Sequence, residues 1–232
     1  MLVSFSHGFY FLKPAKTAGT TIECVLGQLC QEKNDIFTKF RKSENIDNQY
    51  RQGKYQKSYS ENFKEHTNYK ELTQNLDVSE LRPVIAIRHP YEICASECAW
   101  SGKGIEEYNK GNSIEKTSEE YLRSKFDSRF MQPLKYGFSD IILNKFHLEI
   151  YRQYEFYDKA LEHSNLYTIR FSNLQEDLEN LCEIYNISKN IPHTKKTGTY
   201  TAEKVSKIFS DKQLNLIHKF FKNDFDYWKW KK

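Results

Sequence analysis

Residues 9–32, FYFLKPAKTAGTTIECVLGQLCQE, place three local patterns in one stretch. Phe9 to Leu12 is a short apolar run rich in aromatics, the pattern of a buried strand. Pro14 to Thr21 is a loop of small and hydroxyl-bearing residues with a glycine, Gly19, and one lysine, Lys16. From Ile22 the apolar positions Ile22, Val25, Leu26, Leu29 and Cys30 follow one face of a helix. A strand that feeds a helix through such a loop predicts an α/β fold. The loop aims backbone N–H groups and the positive end of the helix at one point, beside Lys16. That combination suits a phosphate- or sulfate-like anion.

A second stretch, PVIAIRHPYEICASECAW at 83–100, repeats the logic. Val84 to Ile87 is a fully apolar run after Pro83, as expected for a central strand of a parallel sheet. Arg88 stands at its end, His89-Pro90 starts a turn, and Ile93, Ser96 and Trp100 mark a helix. Open parallel sheets take ligands at the carboxyl ends of their strands. An arginine and a hydroxyl at that edge are suited to one phosphate, the guanidinium through two parallel bonds.

The first loop does not fit the nucleotide P-loop GxxxxGK[ST], because Lys16 precedes Gly19 and no glycine opens the loop. Lys16-Thr17-Ala18-Gly19-Thr20-Thr21 instead resembles the PKTAGT[ST] loop of sulfotransferases, the enzymes that use 3′-phosphoadenosine 5′-phosphosulfate (PAPS). The resemblance is to carbohydrate and bacterial members, with Ala15 where many have proline. Arg88, Pro90 and Ser96 match the family's R-[DNH]-P-x-x-x-x-x-S element. The family commonly has R-[FY]-E-x-L-x-x-D further on; here Arg170-Phe171-Ser172-Asn173-Leu174 and Asp177 lack the glutamate.

The resemblance implies a three-layer α/β/α architecture with a central parallel sheet, related to nucleotide kinases. It implies transfer of a sulfuryl group from PAPS to an acceptor hydroxyl, most simply on a carbohydrate, leaving 3′-phosphoadenosine 5′-phosphate (PAP). Lys16 and the backbone of Thr17, Ala18, Gly19, Thr20 and Thr21 would hold the 5′-phosphosulfate. Arg88 and Ser96 would hold the 3′-phosphate. His66, ahead of a short helix suggested by Tyr69, Leu72 and Leu76, matches the general base, with Glu65 as the neighbouring alternative. The basic loop Lys195, Lys196, Thr197 and Gly198 would cover the nucleotide. No metal is implied.

The 232 residues suffice for a single domain spanning 1–232, with polar lid or acceptor loops at 33–65 and 101–120. Thirty-five basic against 31 acidic residues leave a mixed surface, and no nucleic-acid-binding motif is present. Cys24, Cys30, Cys94, Cys98 and Cys182 lack metal-ligand spacing and read as reduced, buried thiols. Neither a signal peptide nor an apolar run of membrane-spanning length is seen, so a soluble, cytoplasmic protein is expected. Further strands and helices are expected at Leu166–Phe171, Tyr121–Phe130, Ile141–Leu161, Leu174–Cys182 (capped by Ser172 or Asn173) and Ser210–Phe221. The enzymatic rival is a P-loop-like kinase or NTPase. The other is a nucleotide- or glycan-binding module without catalysis.

Overall fold

A computed structural model of the chain describes residues 1–30, 32–37, 63–100, 118–191 and 200–231. In chain order the elements are β1 (Leu2–Ser4), β2 (Phe9–Phe11), α1 (Gly19–Leu26), β3 (Ile36–Phe37), α2 (Tyr69–Thr73), β4 (Arg82–Ile87) and α3 (Pro90–Trp100). There follow α4 (Glu119–Phe126), a π-helical turn (Asp127–Met131), α5 (Gln132–Leu134), α6 (Asp140–Lys145) and α7 (Gln153–Tyr157). β5 (Tyr167–Arg170), α8 (Leu174–Ile184), α9 (Ala202–Ile208), α10 (Asp211–Phe220) and α11 (Lys222–Trp228) come last among the described residues, where short 3-10 turns join several of these elements. The protein is α/β. Its chain divides into two compact units, residues 1–87 with 156–194, and residues 88–155 with 195–232.

The first unit holds a sheet of order β3-β1-β2-β4-β5. β2, β4 and β5 run parallel, in the register Phe11↔Val84 and Ile85↔Thr168. β1 runs antiparallel to β2 and to β3, so the sheet is mixed where a wholly parallel one is expected. The reason is a tight reversal after Ser4, ending on Gly8 at φ +66°, which brings Ser4 opposite Phe9. That turn is pinned by Asp35, whose Oδ1 accepts the Phe5 N–H at 2.8 Å.

Strand alternation decides what the sheet packs against. Phe9, Phe11, Val84 and Ala86 join Ile22, Val25 and Leu26 of α1 and Leu178 and Leu181 of α8 in one buried cluster. Tyr10, pointing the other way, meets the Tyr69 ring of α2, with centroids 6.3 Å apart. β4 outlasts its neighbour: Leu12 N–H bonds the Val84 carbonyl, and β2 supplies nothing further on. There the Tyr157 hydroxyl accepts the Ala86 N–H at 2.9 Å and donates to the Ala86 carbonyl. A phenol thus satisfies backbone groups that a strand would otherwise take.

β5 carries Arg170, which grips Asp177 of α8 through Nε at 3.0 Å and Nη2 at 2.6 Å. Asp177 also accepts the Arg170 N–H, so this run closes the strand-to-helix corner. Asn173 is the N-cap of α8, one of the two residues expected there, and its side chain makes no capping bond.

In the second unit, Phe126 and Phe130 stack at 5.1 Å, and Phe209 and Phe220 pack on them. α10 is capped by Ser210 and Gln213 in a reciprocal box. Phe225 of α11 is buried against Tyr91. The helix expected over 141–161 is broken into short pieces. His147 at φ +52° and Asp158 at φ +46° are left-handed residues, a conformation an α-helix does not propagate. Phe146, Ile150, Tyr154 and Tyr157, which stand at helical spacing in the sequence, therefore share no common face; Tyr157 is buried and Tyr154 exposed. Of the expected lid loops, 38–62 and 101–117 lie outside the described residues.

Candidate functional site

The loop between β2 and α1 is built on unusual backbone. Lys16 and Ala18 have φ of 65° and 64°, in the left-handed region that side chains disfavour by about 1–2 kcal/mol per residue. Such strain concentrates at functional sites. Ala18 is the N-cap of α1 and contributes no side-chain bond, and no acidic residue occupies the first turn. The first backbone N–H groups of a helix have no acceptor within it. Their positive end is therefore left to whatever the loop faces, and the half-buried Lys16 lies in the same turn.

Three threonines of the loop are buried. Thr17 is buried and its hydroxyl donates to the Pro14 carbonyl at 3.0 Å, which closes the turn. Thr20 and Thr21 are buried at the start of α1, which begins three residues before the expected Ile22. Gly19 has a packing reason: a Cβ there would lie 2.4 Å from Cγ of Lys13.

Lys13 is the residue the sequence reading overlooked. It is buried, yet its Nζ lies 2.7 Å from Glu23 Oε2 and 2.6 Å from Glu65 Oε1. Glu23 in turn accepts from the Met1 amine at 2.7 Å. Burial disfavours the Lys13 ammonium, but the two carboxylates outweigh it and hold its pKa above the ordinary 10.5. Burial would raise Glu65 likewise; Lys13, with His66 beside it, instead pulls it down to about 2. A charge on either side had a readable signal: Lys13 continues an apolar strand, and Glu23 sits on the apolar face of a helix.

His66 stands just before α2, whose N-cap Asn68 forms a reciprocal box with Glu71. Its Nδ1 lies 2.7 Å from the Lys13 carbonyl oxygen. A carbonyl only accepts, so the ring is protonated at Nδ1 and presents Nε2 as a proton acceptor. Burial first, then the Lys13 ammonium, lowers its pKa below 6.5, against the opposing pull of Glu65. The imidazole is therefore neutral at neutral pH. Glu65, ionised and bound to Lys13, is a far weaker base.

The second unit carries Arg88 and Ser96, the residues expected at the second anion position. Arg88 follows directly on Ile87, the last residue of β4, and Ser96 is two turns into α3. Both are buried. Arg88 Nε donates to Glu92 Oε2 at 3.3 Å, and Glu92 Oε1 accepts the Ala202 N–H at 3.1 Å. Burial lowers the guanidinium pKa to about 10, opposed by Glu92, so it stays charged.

The backbone of Arg88 is clamped. Gln153 Oε1 accepts its N–H at 2.7 Å and Gln153 Nε2 donates to its carbonyl at 2.8 Å. Asp224 Oδ1 then accepts from Gln153 N at 2.9 Å, Gln153 Nε2 at 3.2 Å and Tyr154 N at 3.3 Å. Burial, with Glu155 nearby, pushes the Asp224 carboxyl far above its usual range. Neither Gln153 nor Asp224 was readable as a site residue, since glutamine and aspartate on polar helices carry no local signature. Near Ser96, Glu97 pairs with Arg129 of the π-helical turn at 3.1 Å.

Thus Lys16, Thr17, Ala18, Gly19, Thr20, Thr21 and His66 belong to the first unit, where His66 bonds Lys13 beside the loop, and Arg88 and Ser96 belong to the second. Lys195, Lys196, Thr197 and Gly198 lie outside the described residues. All five cysteines are buried free thiols. Among the described residues no His, Cys, Asp or Glu grouping is arranged to hold a metal ion, and no helix is long and apolar enough to cross a membrane. No protein-family profile, curated protein or solved structure matches the chain.

Proposed function

We propose that this protein is a PAPS-dependent sulfotransferase acting on an acceptor hydroxyl, with a carbohydrate as the acceptor class. One observation carries the reading: His66 Nδ1 lies 2.7 Å from the carbonyl of Lys13, which directly precedes a strained, lysine-bearing loop, so that Nε2 is left to accept a proton. An anion cradle joined to a general base is what sulfuryl transfer requires. The kinase-like three-layer architecture belongs to the same proposal.

In the reaction the acceptor oxygen attacks sulfur in line. The bond from sulfur to the 5′-phosphate oxygen breaks as the new sulfur–oxygen bond forms. His66 Nε2 takes the acceptor's proton, a role worth ~10²–10⁴-fold. Lys16 and the N–H groups at the start of α1 stabilise the charge growing on the departing phosphate oxygen, where preorganised donors help most. Arg88 and Ser96 hold the 3′-phosphate and so orient the donor. PAP leaves with the 5′-phosphate charge it has gained.

Calorimetric titration with PAP, beside AMP and ATP with magnesium, tests the donor side; labelled PAPS with a panel of glycans tests transfer. Micromolar binding of PAP, weak AMP binding and label transfer are expected. Preference for ATP with magnesium would put a kinase first, and no nucleotide binding would end the reading.

A further inference from the structure

We propose that Lys13 is the positioning residue of this site, holding the proton of His66 with its carbonyl and tying the His66 segment to the anion-loop helix with its ammonium. The role given to His66 rests on the sulfotransferase reading above; the bracing itself does not.

Three contacts converge on this one residue. The Lys13 carbonyl oxygen lies 2.7 Å from His66 Nδ1. Its Nζ lies 2.6 Å from a carboxylate oxygen of Glu65, the residue covalently joined to His66. The same Nζ lies 2.7 Å from Glu23, in the helix whose first turn closes the anion loop. The backbone and side chain of one residue therefore grip the Glu65-His66 dipeptide at two points. The third contact fixes where the grip stands relative to the helix.

The stem of Lys13 also determines Gly19, since its Cγ, Cδ and Cε all crowd the place a Cβ would take. Hence the glycine of the anion loop and the histidine are registered to the same lysine. A buried ion pair is usually no more stable than an apolar pair of similar size, because both charges lose their water. Keeping an ammonium with two carboxylates here makes physical sense as a device for registry.

The charges that face His66 are the Lys13 ammonium, the Glu65 carboxylate and the Met1 amine, with Glu23 behind Lys13. Lys13 and Glu65 act on the ring in opposite directions. Removing either one must move the His66 titration, and the two removals must move it in opposite senses. The ammonium shifts this titration by its charge alone; what a merely stiffening lysine would not move is the ring's tautomer and the split between kcat and PAP affinity.

The test is imidazole ¹⁵N NMR of the full chain through a pH titration, joined to the pH profile of kcat/KM for PAPS. Wild type is expected to show the Nδ1-protonated tautomer. Glu65→Gln keeps the Lys13–Glu23 pair and therefore the fold; its His66 midpoint is expected to fall. The acid limb of kcat/KM should move with it. Lys13→Met is expected to raise the midpoint, mix the tautomers and lower kcat by about 10²-fold with PAP affinity unchanged. Should Lys13→Met fail to fold, Glu65→Gln decides alone. An unmoved midpoint in Glu65→Gln, or an Nε2-protonated wild-type ring, overturns the proposal. Shifted NMR titrations without sulfuryl transfer by the wild type would leave the bracing intact and remove the sulfotransferase reading. Transfer with unmoved titrations would do the reverse.

Discussion

The α-carbon of Gly19 packs under the aliphatic stem of Lys13, so closely that a methyl group at residue 19 would sit 2.4 Å from Lys13 Cγ. Lys13 has little room to yield, because both Glu23 and Glu65 hold its end. Gly19→Ala is therefore expected to cost about 1–3 kcal/mol through overpacking. Urea denaturation should show a lower midpoint at an unchanged slope. An unchanged midpoint would mean that the stem does not cross this glycine.

The pH dependence of stability has a sign that follows from the histidines. His89 accepts the Tyr91 N–H on Nδ1 at 3.2 Å and faces the Lys231 carbonyl with Nε2 at 3.3 Å. Both ring nitrogens are satisfied only in the neutral form. Burial, with His218 beside the ring, lowers its pKa from 6.5 to about 4, against the Lys231 carbonyl bond, which favours the protonated ring. Between those values the unfolded chain binds a proton that the folded chain does not, so stability falls as pH falls. His66 acts in the same direction below 6.5. Glu65, held at about 2 against an ordinary 4.5, extends the loss to still lower pH. Asp224 opposes them: its raised pKa favours the folded state at low pH, a contribution lost as pH rises above 3.8 towards the folded value. Denaturant midpoints measured from pH 7 to pH 4 should decline in the wild type and decline less in His89→Gln. Equal slopes in the two proteins would show that His89 is not the titrating group.

How much of this was readable depended on distance along the chain. The strand, loop and helix at 9–32 were legible because the change from strand to helical period takes place within two dozen residues. The partition of the loop was not: nothing local says that the Thr17 hydroxyl turns inward to the Pro14 carbonyl. Lys13 and Glu23, 10 residues apart, stand in that stretch but only the fold pairs them, and Lys13–Glu65 joins residues 52 apart, beyond any local window. β1 was missed because a three-residue strand offers too little alternation to detect. The break in the 141–161 helix arises from left-handed His147 and Asp158, and neither residue type announces that conformation.

The strained loop separates side-chain chemistry from backbone shape. Ala18 at φ +64° should accept glycine with no loss of stability, whereas a β-branched Ala18→Val is expected to lose about 1–3 kcal/mol. Lys16→Ala retains the backbone and is expected to abolish turnover while moving Tm little. Turnover within a few-fold of wild type would take Lys16 out of the mechanism. A large drop in Tm would instead make the lysine a part of the scaffold.

The clamp on Arg88 predicts a graded series in the second unit. Asp224 acts through an oxygen that accepts three N–H groups, and burial already favours its uncharged form. Asp224→Asn preserves an accepting oxygen and no charge, so it is expected to be mild. Asp224→Ala orphans those donors at about 1–3 kcal/mol for each left buried and unbonded. Gln153→Ala releases the Arg88 N–H and carbonyl without touching the guanidinium. If Arg88 reads the 3′-phosphate, Gln153→Ala should weaken PAP while leaving AMP nearly unchanged, and Arg88→Ala should do so more strongly. Equal losses for both nucleotides in Gln153→Ala would show that the clamp stabilises the unit as a whole and does not aim Arg88. Equal losses in Arg88→Ala would deny the arginine its phosphate.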